Sequence, residues 1–296
     1  MDPLVDKIGF RHWRLGARLD DMEGSITRLD EEVKRARELA MSYHILVDGY
    51  VTNMGTYGKV YDTTTTVSLI VDLAKRYQDA MFIECWNEVH DAGVATKDRP
   101  WWSNGEFDIK TYYMVLDAIR SSFEFSKVGV PIANSATVNY WQNEGHKWTG
   151  NFLDVGIGKV VDYFNLHCYL PSFAWDMKSG DKDVFTSMNG YADDVVKKLG
   201  SCDGRFRKGG FWERIGHKAK CVAYRARALQ WGLWYKVRIK KPIVITEYSL
   251  DPLTESSDQL RGVVSFFRGL FKPVLMVYYS LDHLKYSHIN ISERWW

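Results

Sequence analysis

Short apolar runs alternate with longer amphipathic ones along most of the chain. Arg11 to Ala17 reads as a strand, and Leu29, Val33, Ala36, Leu39 and Ala40 then recur at helical spacing with Thr27 as N-cap. His44 to Val51 is a second strand, rich in β-branched and aromatic residues. A helix from about Thr64, capped by Asp62, carries Val67, Ile70, Val71 and Ala74 on one face. Met81 to Trp86 is the third strand, Asp108 caps a helix through about Phe125, and Val128 to Ala133 is the fourth strand. Val160 to Tyr169 is the fifth. A long excursion follows, with helical patterns at about 184–199 and 217–237. Pro242 to Thr246 makes the sixth strand, Ser256-x-x-Gln259 matches a capping box that opens a helix to about Phe271, and Val274 to Tyr279 is the seventh strand.

Strands that alternate with helices imply βα units and a parallel sheet. Strands that are apolar almost throughout imply a sheet covered on both faces. Such a pattern fits either a doubly wound sheet or a (β/α)8 TIM barrel with one βα unit not visible. No G-x-G-x-x-G follows any strand and no G-x-x-x-x-G-K-[ST] occurs, which favours the barrel. Without a linker or a low-complexity tract, residues 1–296 read as a single domain, with a basic helical excursion at about 176–240.

Composition narrows the classes further. The chain has 296 residues, 46% hydrophobic and 15% aromatic, with net charge +2, the profile of a folded protein rather than a disordered one. The near-neutral balance speaks against a nucleic-acid partner. No apolar stretch is long enough for a membrane span. The N-terminus shows no signal-peptide pattern, so the cytoplasm and a reducing compartment are the default expectation. Four cysteines lack any C-x-x-C spacing; Cys85 and Cys168 lie inside strands as core residues, while Cys202 and Cys221, with His217 nearby, leave a disulfide or a metal ligand open.

In a barrel, chemistry sits at the C-terminal ends of the strands. Those ends carry Arg14 and Arg18, Asp48 and Tyr50, Trp86-Asn87-Glu88, Asn134, His167 and Tyr169, Glu247 and Tyr248, and Tyr279 with Asp282. Glu88 and Glu247 stand out because each directly follows a buried strand. Two carboxylates facing each other across a pocket are what glycoside hydrolysis requires, one as nucleophile and one as acid and then base. A lone glutamate after a strand is usually a solvated loop residue, so the pairing carries the reading. Sugar sites also need flat faces, and Trp101, Trp102, Trp141 and Trp175 are candidates, each equally suited to packing.

The stretches WRLGARLDDM (13–22), ECWNE (84–88), WWSNGEFDIKTYY (101–113), VDYFNLHCY (161–169) and KPIVITEYS (241–249) resemble the clan A retaining glycoside hydrolases, and most of all glycoside hydrolase family 39, which contains β-xylosidases and α-L-iduronidases. The resemblance implies a barrel fold, no cofactor and no metal, and an oligosaccharide or polysaccharide substrate. It assigns Glu88 as acid/base and Glu247 as nucleophile. Arg14 and Tyr169 would orient the nucleophile, Asn87 would bind the sugar 2-hydroxyl, and His167 would line the floor. Tyr279 stands where many relatives carry a stacking Trp, and of the four tryptophans above Trp175 is taken as the substrate-binding one. Val89 replaces the Pro that often follows Asn-Glu, and only two strands precede Glu88, one βα unit short of the family pattern.

From Lys197 to Lys241 there are fourteen Lys and Arg against Asp203 and Glu213. The segment is either a solvated outer helix or a basic wall favouring an acidic polysaccharide. Two other functions stand beside the hydrolase: a carbohydrate-binding protein on a degenerate barrel, and a barrel hydrolase with a metal on Glu88, His90 and Asp91. The sugar, its linkage and a homodimeric state stay open.

Overall fold

In the computed structural model the described residues are 12–56, 58–90, 99–103, 106–140, 147–171, 229–230, 233–251 and 265–278. In chain order they form β1 (His12–Arg18), α1 (Met22–Glu38), β2 (Ser42–Asp48), β3 (Thr52–Gly55), β4 (Gly58–Tyr61), α2 (Thr63–Arg76), β5 (Ile83–Cys85), β6 (Trp102–Ser103), β7 (Glu106–Phe107), α3 (Ile109–Phe125), β8 (Ile132–Asn134), β9 (Thr137–Tyr140), α4 (Lys147–Val155), α5 (Ile157–Val160), β10 (Phe164–Pro171), β11 (Ile243–Asp251) and β12 (Leu275–Tyr278).

The strands line up in sequence order. β1, β2, β5 and β8 form one parallel sheet, and β9, β10, β11 and β12 form another. The two are joined at β10, which pairs with β9 over Leu166–Tyr169 and is preceded by Tyr163, which bridges Ala133 of β8. Since β8 and β9 share one place, the wall has seven positions among the described residues, one for each strand run predicted from the sequence.

Period-2 alternation gives each strand two faces. Leu15, Ala17, Tyr43, Ile45, Val47, Cys85, Leu166, Cys168 and Ile245 point outward into a continuous apolar core that includes Leu29, Val33 and Ala36 of α1 and Ile70, Val71 and Ala74 of α2. Phe82, Ala133 and Val244, from separate strand positions, instead form a small cluster of their own with Met81, Tyr163 and Leu275. They meet because the wall curves around an interior.

Helix starts follow the caps. Asp62 accepts from Thr65 N (2.9 Å) and Asp108 from Lys110 N (3.0 Å), as the sequence predicts. The first helix is a correction: it begins at Met22 with Asp21 as cap, while the Thr27 hydroxyl donates to the Glu23 carbonyl within the helix. Thr27 fits the cap pattern, but Asp21 lies one turn nearer the strand end. The β3–β4 and β6–β7 hairpins, β9, α4 and α5 are short, two to nine residues each, and, apart from Val160 at the end of α5, lie outside the runs read from the sequence. Trp175, Tyr279, the Ser256-x-x-Gln259 box, Cys202, Cys221 and most of the basic excursion lie outside the described residues. Among the described residues no helix is long and apolar enough to cross a membrane.

Candidate active site

The interior is layered. Beside the Phe82–Ala133–Val244 cluster, the His44 ring stacks on Phe82 at 4.4 Å between centroids. Next comes Glu84, a fully buried carboxylate on β5. It accepts from Arg14 Nε (2.9 Å) and Nη2 (2.8 Å), from Asn165 Nδ2 (2.8 Å) and from His44 Nε2 (3.0 Å), and Thr246 Oγ1 lies 3.1 Å away. Burial disfavours the charged carboxylate, yet the Arg14 guanidinium and the hydrogen bonds it receives hold Glu84 well below the usual carboxylate range. Arg14 is held above its own ordinary value by Glu84 and Glu247, against the cost of burial.

The Trp86-Asn87-Glu88 turn is built on strain. Trp86 (φ 68°) and Glu88 (φ 43°) both adopt left-handed backbone, which side chains with a Cβ rarely occupy. The surroundings impose it. The buried Trp86 ring packs among Tyr50, Trp101 and Tyr112, and its Nε1 donates to Gly49 O at 2.8 Å. Beyond the turn, Val89 N donates to Ser135 Oγ (3.1 Å) and Val89 O accepts from Trp102 Nε1 (2.8 Å). The turn sends Asn87 Oδ1 to Arg14 Nη2 (2.7 Å) and Glu88 to His167.

Glu247 arrives from β11 beside His167 of β10, its register partner. Arg14 Nη1 donates to Glu247 Oε1. His167 Nδ1 lies 2.5 Å from Glu88 Oε1 and 3.6 Å from Glu247 Oε2, while its Nε2 lies 3.1 Å from Thr246 Oγ1. One oxygen of each glutamate and one His167 nitrogen fall within 4.8 Å of one another, and all three residues are buried. Two carboxylates and an imidazole at this spacing suit a proton-sharing pair and are also a donor set that a divalent cation accepts.

Five predicted site residues therefore converge: Arg14, Asn87, Glu88, His167 and Glu247. For Tyr169 only the backbone is described; it pairs with Tyr140 and Ser249 in the wall. Arg18, not Arg14, holds Asp20. Trp101 is 0% exposed and belongs to the core, so it offers no face to a sugar. His90 is buried beside Trp148 and Phe152, and burial with His167 nearby lowers it to about 3; Asp91 lies outside the described residues. Among the described residues the group with metal-ligand spacing is Glu88–His167–Glu247. Sequence reasoning missed Glu84, His44, Asn165 and Thr246. The available signal was polarity inside apolar strands, since a charged residue such as Glu84 in MFIECW is rarely buried without a partner.

No protein-family model matches the sequence, and no curated protein is significantly similar to it. Solved structures do share its fold. A structure of two fungal beta-1,4-galactanases superposes with a TM-score of 0.53 at 12% identity, covering 93% of this chain and 79% of that one. An endo-1,4-beta-D-mannanase from Thermotoga petrophila RKU-1 gives 0.50 at 12% identity, with 93% and 81% covered. Against a glucosidase from Croceicoccus marinus the TM-score is 0.47 at 10% identity, and the chain, matched over 84% of its length, spans 44% of that protein.

Proposed function

We propose that this protein is a retaining glycoside hydrolase, a single barrel domain in which Glu247 is the nucleophile and Glu88 the acid/base. The observation that carries the reading is the approach of the two carboxylates to within 4.8 Å. Retaining enzymes hold their carboxyl groups about 5–5.5 Å apart, whereas inverting enzymes leave about 6.5–9.5 Å for a water molecule. The kinship of fold with galactan- and mannan-cleaving enzymes supports the same class.

In this reading a Glu247 oxygen attacks the anomeric carbon while the glycosidic C–O bond breaks and the leaving oxygen takes the proton of Glu88. Water then adds to the anomeric carbon, Glu88 takes its proton, and the ester to Glu247 is released. The Arg14 guanidinium on Oε1 fixes the nucleophile, while Oε2 lies 3.6 Å from His167 Nδ1. Asn87, anchored through its Oδ1, retains an amide N–H₂ for a sugar hydroxyl. Tyr169 and Tyr279, on the strength of the sequence resemblance, and Trp175, as a flat aromatic face, complete the proposed binding set, and an oligosaccharide or polysaccharide is the proposed substrate.

The test is a panel of aryl xyloside, glucoside, galactoside, mannoside and iduronide, with longer β-linked oligosaccharides, presented to wild type and to Glu247→Gln. Turnover by wild type that Glu247→Gln abolishes without unfolding is the expected result. Glu88→Ala should spare substrates with good leaving groups, which need little protonation. Full activity in Glu247→Gln overturns the assignment. Activity lost to a chelator and restored by a divalent ion would instead favour a metal on Glu88, His167 and Glu247.

A further inference from the structure

Beneath the two glutamates lies a second carboxylate–arginine pair that the proposed chemistry does not use. Glu84 takes the Arg14 guanidinium in a fork, with Nε on Oε2 (2.9 Å) and Nη2 on Oε1 (2.8 Å). That geometry fixes the guanidinium plane. Nη1 is then directed to Glu247 and the free side of Nη2 to Asn87. Arg14 is one cation shared among the buried Glu84 carboxylate, the proposed nucleophile and the proposed sugar-binding amide.

The protons behind Glu84 have one consistent arrangement when both histidines are neutral. Burial lowers both histidines: His12 to about 3, with the His44 ring beside it, and His44 against the raising pull of Glu84, with Arg14 adding to the lowering. An ionised Glu84 only accepts, so His44 Nε2 carries the proton that bonds to it (3.0 Å). His44 Nδ1 must then accept, from His12 Nε2 at 2.7 Å. His12 Nδ1 in turn accepts from the Ser42 hydroxyl at 2.7 Å. Each donor from Ser42 to Glu84 points the same way, toward the carboxylate, and the chain stabilises its charge.

We propose that Glu84 is a positioning residue for the nucleophile: backed by the Ser42–His12–His44 hydrogen-bond chain, its fork locks Arg14 so that Glu247 and Asn87 are presented together. This rests on Glu247 being the nucleophile. Glu84 touches no reacting atom and acts through Arg14.

The experiment compares wild type, Glu84→Gln and Glu84→Asp. Activated aryl glycosides are the substrates, and active sites are counted by the burst of released phenol. Per active site, Glu84→Gln should lower kcat about 100-fold, the scale for a small misplacement of a reacting group, while KM moves little. Because activated substrates need little acid assistance, the loss persists on them. Glu84→Asp, which keeps the charge, should recover part of the rate. A merely structural role would reduce the number of active sites and leave kcat per site unchanged, and that result overturns the proposal. A second readout needs no turnover: the Arg14 Nε–Hε NMR signal, identified by its absence in Arg14→Lys, should be protected from exchange in wild type and lose protection in Glu84→Gln. An unchanged signal overturns the clamp. Should wild type hydrolyse nothing, the reading of Glu247 falls, while the Arg14 signal still decides whether Glu84 holds the guanidinium.

Discussion

The two faces of the same strands carry opposite chemistry. Outward, Leu15, Ile45, Val47, Leu166 and Ile245 meet the helices in a predominantly apolar core. Inward, Arg14, His44, Glu84, Asn165 and Thr246 form a buried polar cluster in which hydrogen bonds link side chains of β1, β2, β5, β10 and β11. Hydrophobic burial is nearly non-directional and stabilises whatever shape closes the core. A buried polar network has only a few satisfied arrangements, so it specifies positions. The outer face thus answers for how stable the wall is, and the inner face for where its functional groups point.

The strongest test of that division is Arg14→Met. It leaves the fully buried Glu84 without its cation, and breaking a buried pair this way costs about 3–5 kcal/mol. Urea unfolding should show that loss, and activity should vanish with the Glu247 contact. The control is chemically close. Arg37 forks onto Asp79, which also accepts from Tyr43 Oη, but this cluster lies at the surface, so Arg37→Met should cost less than about 1 kcal/mol and leave activity intact. Equal losses from the two substitutions would deny the inner face its special weight.

Acid should attack the inner face first. His12 and His44 are depressed by burial, so the folded protein resists protons that the unfolded chain accepts below about pH 6.5. Glu84 is depressed as well, in its case by Arg14 after burial is overcome, and its contribution is present above the unfolded carboxylate range and lost as pH falls through and below it. Thermal midpoints should therefore decline steadily from about pH 6.5 downward. His12→Phe with His44→Phe should flatten the upper part of that decline; an unaltered profile would show that these rings do not carry it.

On the outer face Leu166→Ala should cost about 2–5 kcal/mol through lost burial and the cavity left behind, with kcat per folded molecule unchanged. A fall in kcat comparable to that of Glu84→Gln would mean that the faces are mechanically coupled.

The legible part of this molecule was its outer face. Apolar runs such as HILV and FNLHCY, and caps such as Asp62 and Asp108, obey local rules that a single sequence displays. The strand-end residues Asn87, Glu88 and Glu247 were also legible, because each interrupts an apolar run at its exit. Glu84, His44, Asn165 and Thr246 were not, for a physical reason: each is justified by partners on other strands, and Glu84 and Thr246 stand 162 residues apart in sequence. Trp101 stayed open for the complementary reason, since an aromatic residue in a loop looks the same whether it faces sugar or, as here, packs against Trp86 and Tyr112. Thr27 fits the cap pattern as well as Asp21, and only the length of the preceding strand decides between them.

Where the two faces meet, Gly49 is a sharp probe. It follows β2 with φ 79°, its carbonyl receives the Trp86 indole, and an added Cβ would lie 2.5 Å from Asp20 Oδ1 and 3.2 Å from the Asp20 backbone nitrogen. Gly49→Ala should lower stability by about 1–3 kcal/mol. Because the strained Trp86-Asn87-Glu88 turn leans on that carbonyl, kcat per folded molecule should fall with it, which separates this substitution from Leu166→Ala.

The smallest effect belongs to a purely local device. The Asp108 carboxylate accepts from Lys110 N (3.0 Å) and Thr111 N (3.3 Å) and from the Thr111 hydroxyl (2.7 Å), at the exposed start of α3. Removing it in Asp108→Ala leaves water to take over those donors, so the cost is that of an ordinary cap, about 1 kcal/mol. Yet α3 also carries Tyr112, whose hydroxyl donates to Cys85 O (3.0 Å) and accepts from Ser135 N (2.7 Å), next to the Glu88 turn. If α3 is held by its apolar face, as Val115, Leu116, Ile119 and Phe123 suggest, a frayed first turn leaves Tyr112 in place. Asp108→Ala should then lower the urea midpoint slightly and leave kcat untouched. A measurable loss of kcat would locate the first turn of α3 within the machinery that positions Glu88.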